Sequence, residues 1–89
     1  MSEPITFDAV AMATARGHVR LPLPFDPRDI WGRRPRHYVT GQIAGSPFTG
    51  SVGFQGGGAF LLLSKDFRAR AGIEPGQTLH VALTETTKP

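Results

Sequence analysis

Seven of the nineteen residues from Gly17 to Pro35 recur unchanged 40 positions later: Gly17 and Gly57, Leu21 and Leu61, Leu23 and Leu63, Asp26 and Asp66, Arg28 and Arg68, Gly32 and Gly72, Pro35 and Pro75. At typical residue frequencies of about 5–7% each, about one or two identities are expected by chance. The shared residues are punctuation, in the same order in both copies: a turn glycine, a helix start, a closing glycine and a following proline. Val39 and Ile43 then align with Leu79 and Leu83. Each half therefore reads strand, strand, short helix, strand, with halves at about residues 5–44 and 45–85. Three short strands and one small helix leave an apolar sheet face open, and two such units can cover each other. The expectation is a single, mainly β domain over residues 1–89. It is a small closed or split barrel of six to seven strands with two short helices, a pseudo-twofold axis and a period of about 40 residues.

Local signals fill in the elements. Phe7–Ala13 is apolar on both faces, as in a strand buried on two sides or at a sheet junction, and Ala15-Arg16-Gly17 turns the chain into Val19-Arg20-Leu21. Asp26-Pro27 offers an N-cap with proline at the first helical position, and Gly32 closes a helix of one or two turns. Tyr38–Ile43 is a strand, broken at Ala44-Gly45-Ser46-Pro47 before Phe48–Phe54, where Phe48, Gly50, Val52 and Phe54 share a face. Gly56-Gly57-Gly58 turns into Ala59–Leu63, which reads as a central strand buried on two sides. Leu63–Pro75 is a complete helix signal: Ser64 caps the start, Asp66 and then Arg68 and Arg70 complement the dipole, and Gly72 is the left-handed stop with Ile73 folding back on Phe67. Leu79, Val81 and Leu83 alternate along Thr78–Thr84, so His80 points the other way.

Composition narrows the class. The chain has 89 residues, 11 Gly, 8 Pro and no Cys, which excludes a disulfide framework and a thiolate metal site. No apolar run is long enough for a membrane span. Met1-Ser2-Glu3-Pro4 lacks the features of a secretory signal, so a cytoplasmic bacterial protein is expected, monomeric or at most a weak homodimer. The net charge of +3 is modest and divides between the halves without a polybasic tail. Arginine outnumbers lysine and asparagine is absent, a bias that a GC-rich genome also produces.

The segments Gly41-Gln42-Ile43-Ala44-Gly45-Ser46-Pro47-Phe48, Gly56–Phe60, Leu63–Arg68 and Gly76 together resemble the bacterial and archaeal family called domain of unknown function 1905. The resemblance covers nearly the whole chain. That family is similar in fold to the swapped-hairpin, or double-split, barrels of AbrB- and MazE-type transcription factors, whose helix-and-turn segment resembles Ser64–Gln77. In those factors two chains build one barrel, and the internal repeat would put both halves in one chain. Ala44 stands where family members tend to have Asn, and Gln77 where they have Asp. The family has no established activity, so the resemblance implies a fold and no mechanism.

Candidate sites follow from residue type. Arg33-Arg34-Pro35-Arg36-His37, with Trp31 beside it, is the densest cationic cluster; Arg20, Lys65 and Arg68 are further cations suited to phosphate, and Trp31 suits stacking on a base. The aligned second-half positions carry Ile73, Glu74, Gly76 and Gln77, so the repeat does not impose this cluster. Read structurally, it is a solvated loop with Trp31 packed as a barrel plug. Gly53–Gly58 lacks the Lys-Ser/Thr and the following helix of a phosphate loop and reads as a hairpin turn. His18, His37 and His80 have no metal spacing, and Ser46, Ser51 and Ser64 sit in no nucleophile elbow. The leading expectation is a non-enzymatic binding or accessory module with no cofactor and an unknown ligand. The alternative is an AbrB-like nucleic-acid binder, and the third reading, a small enzyme with a barrel-end pocket, lacks a catalytic constellation.

Overall fold

A computed structural model describes residues 4–56 and 58–87. Its elements are β1 (Ile5–Val10), β2 (Met12–Ala13), β3 (Val19–Pro22), α1 (Pro27–Trp31), β4 (Tyr38–Ile43), β5 (Ser46–Gln55), β6 (Gly58–Leu63), α2 (Lys65–Ala71) and β7 (Thr78–Thr86). The expected order of strand, strand, helix, strand occurs twice. Gly57, the middle of the expected glycine turn, lies outside the described residues.

The strands form one antiparallel sheet in the order β1-β7-β4-β5-β6-β3-β2. Its two end strands flank a single residue, Ala11, so they are one bent segment, and the sheet curls round to bring its ends together. Ala11 is buried, its N–H donates to the Gln77 carbonyl at 3.0 Å, and its own carbonyl accepts from Gly76 N–H at 2.7 Å. The counterpart of this segment is β5, where Ser46–Ser51 pair with β4 and Val52–Gln55 pair with β6. Pairing also exchanges the halves: β1 of the first lies on β7 of the second, and β3 pairs with β6. Neither half is complete alone.

Register refines the repeat. Ile5 pairs with Leu83, and the symmetry-related pair is Ser46 with Ile43. Leu83 and Ile43 are 40 apart, whereas Ile5 and Ser46 are 41 apart. Likewise Ala13 opposite Val19 corresponds to Phe54 opposite Ala59. The first hairpin is thus one residue longer than the second, and Phe7 maps onto Phe48 and Ala13 onto Phe54.

Alternation explains the core. Leu21, Val39, Ile43, Leu61, Val81 and Leu83 point inward and are wholly buried, so the barrel interior is filled by side chains. Two expectations of double-sided burial are corrected. In β6, Ala59, Leu61 and Leu63 face the core, but Leu62 is 54% exposed and Phe60 is half-buried on the outer face. In β1, inner and outer residues alternate, with Asp8 and Val10 exposed; the junction at Ala11 is as expected. Among the described residues no second layer covers the outside of this sheet, so apolar outer residues such as Leu62 and Val10 stay largely in water.

The helix punctuation is as read. Asp26 accepts from Arg28 N–H at 2.9 Å and Ser64 Oγ from Phe67 N–H at 3.1 Å. Gly72 is left-handed, and Gly72 and Ile73 N–H both donate to the Arg68 carbonyl. Each helix buries one residue, Pro27 and Phe67. Among the described residues no helix is long and apolar enough to cross a membrane.

The two residues between β4 and β5, Ala44 and Gly45, both have positive φ, 53° and 80°, as a tight type I′ hairpin requires. Ala44 is the single non-glycine described residue in that region and carries the penalty of Cβ against its own carbonyl. Asn tolerates this conformation far better, so Ala44→Asn should stabilise the fold by about 0.5–1 kcal/mol. A rise of a few degrees in Tm is the expected readout, and an unchanged or lower Tm would contradict the turn geometry. Gln77, the other departure, also serves a turn, its Oε1 accepting from Glu74 N–H at 2.9 Å.

Candidate functional site

The end of the barrel carrying α1 differs from the end carrying α2 in ways the repeat does not require. A row of aromatic rings runs across it: Phe7 against Phe25 at 5.6 Å, Phe25 against Trp31 at 5.6 Å, Trp31 near His37 at 6.2 Å, and His37 near Phe54 at 6.5 Å. At the α2 end the positions matching Phe25, Trp31, His37 and Phe54 hold Lys65, Ala71, Gln77 and Ala13. The same backbone is made there with one aromatic pair, Phe48 against Phe67 at 5.2 Å, in place of the row.

His37 begins this site from the inside. It is 1% exposed, its Nδ1 lies 3.2 Å from Glu85 Oε2, and its Nε2 has no hydrogen-bond partner. The tautomer with the proton on Nδ1 satisfies this arrangement, because it donates to Glu85 and leaves no buried N–H unpaired on the other side. Glu85 Oε2 also accepts from Arg34 Nε at 2.7 Å. A buried imidazole, a half-buried carboxylate and an exposed guanidinium therefore tie the α1–β4 loop to the end of β7. His37 is a structural link, and the expectation that it contacts an external anion is corrected: it is not accessible. Trp31 is half-buried against the core and edge-on to Phe25.

The exposed cations then separate. Arg28 is held by Asp26, Nη2 to Oδ2 at 2.7 Å, and this guanidinium lowers the Asp26 carboxyl to a pKa of about 2. Arg34 is held by Glu85. Among the described residues Arg33 and Arg36, both exposed, have no carboxylate partner. Arg20 lies on the outer face of β3 with its guanidinium 4.5 Å from the centre of the Phe60 ring. Lys65 and Arg68 belong to the other end, lining a separate groove on α2, where Arg68 Nε donates to the Leu63 carbonyl at 3.2 Å. Of the sequence-selected residues, Arg33, Arg34, Arg36 and Trp31 share one end, Arg20 reaches toward it through Phe60, and Lys65 and Arg68 do not join it.

Pro35 and Arg36 form a ridge between two grooves. One, of about 370 Å³, runs past Tyr38, Glu85 and Thr86. The other, of about 500 Å³, has Arg36, Ser51, Phe54, Phe60 and Leu62 in its walls and no acidic residue. Phe54 is 48% exposed and also borders a smaller concavity of about 240 Å³, where Arg28 lies over its ring at 5.3 Å. Phe54, Phe60 and Glu85 were absent from the sequence-selected set. Alternation puts Phe54 on the inward side of β5, but it sits where the barrel opens, and the glycine-rich turn after it is the signal that the strand ends there.

His80 is exposed and pairs with Asp8 across the β1–β7 ladder at 2.9 Å. Among the described residues no group of three or more His, Asp or Glu gathers as a metal site would need. No curated protein matches the sequence. Residues 7–83 match the family described as a domain of unknown function, DUF1905, and with a curled seven-stranded sheet and two short helices spanning that region, the chain belongs to it.

Proposed function

We propose that the protein is a non-enzymatic binding module that holds an anionic partner, nucleic acid, on the outside of its barrel at the α1 end. The observation that carries this reading is the pairing of two exposed arginines without carboxylate partners among the described residues, Arg33 and Arg36, with an acid-free groove that runs beside Arg36 on the outer face of the sheet. A filled interior argues against a ligand inside the barrel, and three features support contact on the outer surface. The repeat provides an internal control, since the second copy folds without these residues. Arg34 and Glu85 hold the cationic loop in place, which reduces the ordering entropy that contact with phosphate would otherwise cost. The surrounding Arg side chains present planar, permanently charged donors suited to phosphate oxygens. The resemblance to AbrB-type factors points to the same class of partner, although there the comparison falls on the α2 segment.

Equilibrium binding of labelled mixed-sequence DNA, single-stranded and duplex, tests the reading. Affinity at about 50 mM salt should fall steeply as salt rises, because phosphate contacts release counterions. Arg33→Ala with Arg36→Ala should reduce the slope of log K against log salt by roughly 1.4–1.8, about 0.7–0.9 for each contact. Lys65→Ala with Arg70→Ala, at the other end, should leave that slope unchanged. Absence of binding to either DNA at low salt, or dependence on Lys65 and Arg70 instead, would reject this site.

A further inference from the structure

The outer face of the sheet carries a third cation beyond Arg33 and Arg36, an inference that rests on the preceding reading and extends it. Register fixes which outward residues are neighbours. Gly53 in β5 lies opposite Phe60 in β6, and Arg20 in β3 lies opposite Leu62 in β6. The His37 carbonyl accepts from Val52 N–H at 2.9 Å, which carries the β4–β5 pairing past Tyr38 and brings Arg36 alongside Gly53. A Cβ at position 53 would meet the Phe60 ring at 2.6 Å, so the missing side chain is what lets the ring lie over β5. The Arg20 guanidinium carbon stands over that ring, 4.5 Å from its centre.

The repeat shows that this arrangement belongs to one side of the molecule. The pseudo-twofold axis exchanges Arg20 with Phe60, and the same operation exchanges Gly53 with Met12 and Arg36 with Gly76. Where one copy leaves space and adds a cation, the other fills the space with a methionine and has no cation. Arg20 has no carboxylate partner among the described residues, and its Nε is buried without a hydrogen-bond partner. Stacked on a ring, the guanidinium keeps its plane and loses less freedom on contact than a free side chain. The groove between, of about 500 Å³, has Arg36 and Phe60 in its walls and no acidic residue. Strands β4 and β6 are two strand spacings apart, about 10 Å, so a ligand that meets both guanidinium groups carries anionic groups repeated over such a distance. A phosphodiester backbone does so, and a lone phosphate or carboxylate does not. We infer that nucleic acid crosses the outer face from Arg33 and Arg36 over β5 and β6 to Arg20, and that Phe60, seated over Gly53, is a positioning residue that holds Arg20 for a backbone phosphate.

The test uses the labelled DNA form that the parent protein binds more tightly. Arg20→Ala should lower the slope of log K against log salt by about 0.7–0.9 and weaken binding at low salt by about 3- to 10-fold, the worth of one hydrogen-bonded contact. Phe60→Leu keeps every charge, so the slope should stay while affinity falls about 2- to 5-fold, the worth of an exposed cation–π contact. Phe60→Tyr should restore parental affinity. In an Arg20→Ala background Phe60→Leu should have no further effect, because the ring acts through Arg20. Thermal melts verify that each variant is folded. An unchanged slope in Arg20→Ala, or an equal effect of Phe60→Leu with and without Arg20, overturns the inference; if Arg33→Ala with Arg36→Ala still lowers the slope, the site at the α1 end stands. Failure of the parent protein to bind either DNA overturns both.

Discussion

Gly41→Ala is expected to lose about 3 kcal/mol, at the upper end of overpacking costs, and to lower the melting temperature by about 12–24 °C. Gly41 lies opposite Leu83 near the middle of the β4–β7 ladder, with Phe48 on its other side in β5. A Cβ added there would fall on the carbonyl oxygen of Ala82 and within 3.1 Å of the Leu83 Cα. These are backbone atoms of the strand that joins the two halves, so no rotamer change relieves the clash and the ladder itself must part. Thermal unfolding by circular dichroism measures the effect; a melting temperature within 2–3 °C of the parent would show that β4 and β7 do not meet in this register.

Leu61→Ala and Leu62→Ala form the second test, with opposite outcomes for adjacent residues of one type. Leu61 is wholly buried against Leu21 across the β3–β6 pair, close to the pseudo-twofold axis, and truncation should cost about 3–4 kcal/mol through lost transfer energy and the cavity left behind. A domain of this length has roughly 4–13 kcal/mol in total, so the variant sits at the margin of folding. Leu62 is 54% exposed, and its truncation should change stability by no more than about 0.5 kcal/mol. Urea denaturation separates the two. Comparable losses at both positions would mean that a second layer covers the outside of the sheet.

Residues whose chemistry acts locally were legible in the sequence. Asp26, Ser64 and Gly72 start and stop their helices through neighbours two to four residues away, and the side chain itself states that role. The alternation in β7 placed Leu79, Val81 and Leu83 inward and His80 outward for the same reason. The repeat gave the topology because both copies use the same punctuation, and it missed the single extra residue of the first hairpin because the identities begin only at Gly17. Burial on the outer face was not legible. Phe60 and Leu62 look like core residues by type, and whether anything covers them depends on layers far away in the chain.

The candidate site was half legible. Arg33, Arg34 and Arg36 announce themselves by density and by having no counterpart in the second copy. The division of labour among them was hidden, because Glu85, which engages Arg34 and His37 and not Arg33 or Arg36, is 51 and 48 residues from its partners. Phe54 was placed on the right side of its strand, and its exposure was not legible, since period-two alternation says which way a side chain points and nothing about where the barrel ends.

The bent segment through Ala11 also sets the order of events during synthesis. Strand β1 pairs with β7, through pairs such as Ile5 with Leu83 that join distant parts of the sequence. A nascent chain therefore carries β1 unpaired until residues 78–86 have left the ribosome, and the first half waits with its inner leucines in water. Contacts this distant in sequence slow folding more than they weaken the folded state. The interval in which the first strand is open to chaperones, or to the same strand of another nascent chain, is set by translation rate.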